Sequence, residues 1–169
     1  MTALFKNNGA RALSMDDLLI SIMLRYPEIG TVKYNPRYKF LQFTFIILES
    51  LDRQRLEDFA VLLPKALDAY SYLEKRRPGK IKVEYSIEGG VTLVMVTRDV
   101  DTLNPDEITF VVEFFKDWFD TESREDVFEE EILFQEEIIR QSLEQTKKTR
   151  NSRSTIALRE EGQVIVYNK

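Results

Sequence analysis

Asp99-Val100-Asp101 is the segment whose residue types and spacing come nearest to a catalytic pair. A D-x-D at the end of a strand can hold Mg²⁺ beside a phosphate substrate, because that hard cation prefers oxygen ligands. The same spacing also serves as turn and cap chemistry between two elements. As a calcium loop it fails, because Asn104 replaces the loop glycine and Phe110 the final bidentate Glu. An Asp-dependent metal enzyme at Asp99 and Asp101 is therefore a second alternative, behind two non-catalytic readings.

Other chemistry is narrowed by what the chain lacks. It has 0 His and 0 Cys, which excludes disulfides, Cys/His zinc sites, haem ligation by His, Cys nucleophiles and every triad with an imidazole base. No G-x-G-x-x-G occurs, so the dinucleotide fingerprint is missing. Gly79-Lys80 matches the end of a P-loop, but Ile81 replaces Ser/Thr and Glu74 replaces the first Gly. The expectation is a protein with no catalytic residues, no metal and no cofactor.

Charge offers a different chemistry. Lys75, Arg76, Arg77, Lys80 and Lys82 flank Pro78-Gly79, and Lys147, Lys148, Arg150 and Arg153 form a second basic cluster. Brought to one face, with Tyr70, Tyr72 and Tyr85 nearby for stacking, they would bind nucleic acid. A nucleic-acid-associated accessory protein using clusters 75–82 and 147–153 is the first alternative. Against it stand the net charge of -5 and the helix C-termini, where Lys and Arg are ordinary dipole partners. The acidic run Glu129-Glu130-Glu131 with Glu136 and Glu137 reads as the solvated, N-terminal part of a helix. Glu136 with Arg140, and Glu144 with Lys148, form i, i+4 pairs in the favoured direction.

The aromatic residues carry the leading reading. On the helix after Asn104, Phe110 and Phe114 fall away from the Ile108/Val112/Phe115/Phe119 stripe. On the last helix, Val127, Phe134 and Ile138 form a second stripe beside Phe128, Ile132, Ile139 and Leu143. Both faces are wider than a simple surface helix needs. Phe110, Phe114, Val127, Phe134 and Ile138 are the candidate interface.

These residues must be positioned by local elements. Ser14 caps a helix with Asp16 and Asp17 in its first turn, stopped by Pro27 and Gly30. Thr31–Tyr34 and Tyr38–Leu48 read as strands. The second is apolar on both faces, which places it mid-sheet or between the core and a partner. A long helix opens at Ser50 or Asp52, with Pro64 expected to kink or break it. Ile81, Val83, Tyr85 and Ile87 alternate with polar residues, turn at Gly89-Gly90 and return over Val91–Arg98. Asn104-Pro105 starts the next helix, and Glu107 completes a capping box. A helix ending at Lys148 and a hairpin turning at Glu161-Gly162 follow.

The fold class expected is α+β, an antiparallel sheet built from two hairpins with helices on one face, in the order α-β-β-α-β-β-α. A long C-terminal helix and a final β-hairpin complete it. Residues 1–13 read as a loose tail, 14–120 as the core domain, and 121–169 as an extension, either part of the same domain or an oligomerisation arm. At 169 residues, 43% hydrophobic and 31% charged, the chain has enough apolar material for a core. Its first residues hold no apolar h-region, and no stretch reaches the length of a membrane helix, so a cytoplasmic protein with no membrane partner is expected. The element order resembles that of secretion-chaperone folds, which are dimeric protein binders, in topology and without a shared motif. The leading expectation is a non-enzymatic protein-interaction module, an adaptor, regulator or chaperone-like binder, with a homodimer its commonest form.

Overall fold

The computed structural model describes residues 13–121, 129–148 and 153–168. Their order is α1 (Met15–Arg25), β1 (Ile29–Asn35), β2 (Phe40–Ile47), α2 (Arg53–Leu73), β3 (Ile81–Glu88), β4 (Val91–Asp99), α3 (Pro105–Phe119), α4 (Glu129–Lys148), β5 (Thr155–Glu160) and β6 (Gln163–Asn168). The fold is α+β, as the pattern of hairpins and helices implies. The strands form one six-stranded antiparallel sheet in the order β3-β4-β2-β1-β5-β6. The last hairpin thus joins the sheet beside β1.

Strand alternation divides the sheet into two unlike faces. One register row runs Val83–Val96–Phe43–Val32–Ala157–Val166 across all six strands. This face receives the helices, and Val32, Leu41, Phe43, Phe45, Val94, Val96 and Ala157 are buried beneath them. α1 lies over β1, β5 and β6, and α4 packs on α1. α2 covers β3 and contacts α3. Phe59 of α2 is the hub of that contact, with ring centroids 5.1 Å from Phe119, 5.7 Å from Phe114 and 6.0 Å from Phe115. Phe115 in turn stacks on Phe45 of β2 at 4.1 Å.

Several local expectations change. Pro64 does not break α2, which continues from Arg53 to Leu73. Leu56, Phe59, Leu63 and Leu67 are buried on both sides of it, and that tertiary anchoring outweighs the missing backbone donor. Gly30 lies inside β1, at a register shift between Ile29 and Thr31, rather than stopping α1. A Cβ there would come within 2.5 Å of the Ile46 Cδ1, so glycine makes room for a neighbouring strand's side chain. Glu136 pairs not with Arg140 but with Arg25 of α1 at 3.2 Å, and Arg140 turns to Glu137 at 3.7 Å. The α1–α4 contact makes the interhelix bond available.

The capping signals hold at both starts with one change. Ser14 and Asp17 form a reciprocal capping box on α1. Asn104 caps α3 by accepting from the Glu107 N–H at 3.2 Å. The Glu107 carboxylate, however, leaves the cap backbone for Arg98 on β4.

Candidate functional site

The second face of the sheet is covered by no described helix. One row across it runs Glu84–Met95–Thr44–Thr31–Leu158–Ile165, with Leu93 and Ile46 in the next row. Met95, Leu93, Leu158 and Ile165 are half-buried, and Ile46 is 44% exposed. None of them belongs to the core cluster. β2 is thus central in the sheet, but only Leu41, Phe43 and Phe45 of its two apolar faces are sealed by the chain itself.

The candidate helical interface residues lie in different surroundings. Phe110 packs on Tyr70 of α2 at 4.9 Å, and Phe114 lies between Phe59 and Trp118. Both are half-buried within their own chain. Phe134 is 49% exposed on α4 beside the more exposed Leu133, and Ile138 is half-buried there. Val127 lies outside the described residues.

Of the second basic cluster, Lys147 lies in one groove with Arg76 and Arg77 of the first. Arg76 and Arg77, beyond the end of α2, line one groove of about 430 Å³ with Arg140 and Lys147 of α4. Asp101, Asn104 and Glu144 share it. Lys75 and Lys148 are exposed outside this lining, and Arg150 lies outside the described residues. The tyrosines noted beside the clusters turn elsewhere: Tyr70 to Phe110, and the Tyr85 hydroxyl to Glu57 at 3.2 Å. Tyr72 is exposed.

A second groove, about 450 Å³, adjoins the first through Arg77, Asp101 and Thr102 and adds Tyr38, Lys39, Lys80 and Asp99. A third, about 390 Å³, continues through Phe40 and Lys80 onto the open sheet face at Lys33, Gln42, Lys82 and Thr97. Lys33, Lys39, Tyr38 and Phe40 carry no sequence signal of a basic site, and Arg140 reads from sequence only as an ion-pair partner of Glu136. The period-2 pattern gives only the face of Lys33, since Lys33, Gln42, Thr97 and Lys82 form one polar row.

Asp99 and Asp101 share the second groove but do different work. Asp99 accepts from the Thr102 N–H at 3.2 Å and hydroxyl at 2.7 Å, from the Lys80 N–H at 2.8 Å and from Arg98 at 2.5 Å. Partial burial pushes its carboxyl upward, but the bonds from Thr102, Lys80 and Arg98 outweigh this and hold it below the usual carboxylate range. Asp101 binds Lys39 at 2.9 Å. Each carboxylate already faces a cation, which makes the pair a poor cradle for Mg²⁺. Among the described residues no group of three or more acidic side chains is placed to hold a metal ion. No helix among them is long and apolar enough to cross a membrane.

No protein-family model, curated protein or solved structure matches this chain.

Proposed function

We propose that the protein is a non-enzymatic interaction module, an adaptor, regulator or chaperone-like binder, that pairs with a second copy of itself through the open face of its sheet. The observation that carries this reading is the apolar set Met95, Leu158, Ile165, Leu93 and Ile46, interleaved with Thr44 and Thr31, on a face that receives no described helix. An antiparallel sheet can leave one face to water, but apolar side chains gathered on such a face mark an interaction site.

Area favours a second copy as the occupant. Six strands at ~4.8 Å spacing and ~3.3 Å rise per residue give a face of about 600–700 Å². That approaches the ~800 Å² per partner of a standard stable interface. An isologous pairing brings the same apolar rows together and leaves Lys33 and Lys82 towards the rim. A cytoplasmic setting fits a chain without cysteine.

Sedimentation velocity across a concentration series tests the proposal. The wild type sediments as a dimer, and Met95→Glu as a monomer with unchanged far-UV circular dichroism. A wild type that remains monomeric up to about 100 μM, well above the Kd range of specific interfaces, contradicts it.

A further inference from the structure

The three grooves join into one path. It starts on the open sheet face at Lys33 and Lys82 and rounds the end of the sheet at Lys80 and Arg77. It finishes on the helical side at Arg140 and Lys147. Eight Lys or Arg residues line it against four Asp or Glu, a local excess of four positive charges on a chain whose net charge is -5. Part of that charge is already committed, because Lys39 pairs with Asp101, Lys82 with Glu84 and Arg76 with Asp106. Lys33, Arg77, Lys80 and Lys147 make no ion pair among the described residues. At the corner, Tyr38 stacks on Phe40 with centroids 6.1 Å apart and has the Arg37 guanidinium over its ring at 5.3 Å, while Tyr38 remains 57% exposed. A flat aromatic surface thus lies beside the cations.

We infer that this path binds single-stranded nucleic acid. The pairing of a cationic track with an exposed aromatic platform is what a flexible polyphosphate carrying bases requires: cations follow the backbone and a ring receives a base without selecting its sequence. The path turns from one face of the sheet to the other within a single small domain. A single strand can follow that turn, whereas a duplex, with a persistence length of about 150 bp, cannot. The path shares the open face with the proposed self-contact only along the Lys33–Gln42–Thr97–Lys82 row and does not use Met95 or Leu158.

Fluorescence anisotropy with a labelled single-stranded 12-mer of mixed sequence tests it on the full chain. Binding is expected at about 50 mM salt, with log K falling against log[salt] at a slope of about -3, as four unpaired cations on a single strand imply. Arg77→Glu combined with Lys147→Glu lowers affinity at least ~10-fold and flattens that slope. Tyr38→Ala lowers affinity about 10-fold, the loss of one stack, and leaves the slope unchanged. Thermal melts of each variant exclude unfolding as the cause. The inference is overturned by no binding at low salt, by binding indifferent to the charge reversal, or by a duplex of the same length binding as tightly as the single strand.

Discussion

Arg98 of β4 and Glu107 of α3 form an ion pair sealed inside the protein, their side chains 3% and 2% exposed. The Arg98 Nε donates to the Glu107 carboxylate at 3.1 Å, and its Nη1 donates to the Lys80 carbonyl at 3.2 Å and the Thr102 hydroxyl at 3.1 Å. The pair ties the sheet to the helix beside the 99–102 turn, whose Asp99, Asp101 and Thr102 line the grooves with the cations. Arg98→Met strands the buried Glu107 charge and is expected to cost about 3–5 kcal/mol. Glu107→Gln leaves Arg98 its second carboxylate partner, Asp99 at 2.5 Å, and is expected to cost less. The double replacement Arg98→Met with Glu107→Leu recovers part of the loss, because only the Asp99 carboxylate, 16% exposed, is left without its cation. Urea unfolding of the four proteins reads this directly.

Gly79 lies against the same network. A Cβ at this position would overlap the Thr102 hydroxyl and the Arg98 guanidinium and stand 2.7 Å from the Asp99 carboxylate. Gly79→Ala must displace groups locked by several hydrogen bonds, and is expected to destabilise by about 1–3 kcal/mol. At Gly90, with φ of 80° and open space around it, the cost of Ala is conformational only, about 1 kcal/mol. The two variants compared by thermal melting separate crowding from backbone strain.

Acid titrates the Asp99 contribution. Its folded pKa lies below the unfolded value of 3.8, so the folded state binds fewer protons than the unfolded state there. The stabilisation is present in full above 3.8 and is lost as pH falls through the folded pKa. The difference in unfolding free energy between wild type and Asp99→Asn is therefore expected to be constant near neutrality and to shrink below that pH. A difference that grows on acidification would contradict the assignment.

Two buried hydroxyls lie on the helices of the α1–α4 contact. Ser21 of α1 and Ser142 of α4 are each 0% exposed, and neither Oγ has a hydrogen-bond partner among the described residues. Ser142→Ala removes an unsatisfied group and replaces it with a better helix former. It is expected to stabilise the protein by about 1 kcal/mol, seen as a higher midpoint in urea with unchanged slope.

Much of this architecture is legible in the residues themselves. The alternation Ile81/Val83/Tyr85/Ile87 marks both the strand and its inward face, and Gly89-Gly90 supplies the positive φ of 57° and 80° that the hairpin turn needs. Asn104-Pro105 marks a helix start because the cap and the fixed φ act locally. Less local matters are hidden. β2 is apolar on both sides, and only the placement of all described helices on one side decides which face is sealed. Pro64 predicts a break from local chemistry, whereas the buried stripe across it is a tertiary effect. Arg98 continues the inward alternation of Val94 and Val96, a charged residue on an apolar face that demands a buried partner. Glu107 is concealed as that partner because its position also suits a helix cap. The basic clusters are visible in sequence, but the groove that Lys147 shares with Arg76 and Arg77 depends on how α4 packs on α1 and α3.

The proposed self-association through the sheet is tested most directly by local protection. The chain has 0 Cys, so a single cysteine introduced at Met95 on the open face, or at Val61 on the outer side of α2, is the sole thiol. Maleimide labelling rates are measured as protein concentration rises across the micromolar range. Labelling at position 95 is expected to slow with concentration while labelling at position 61 stays constant. Equal, concentration-independent rates at both positions would contradict the account.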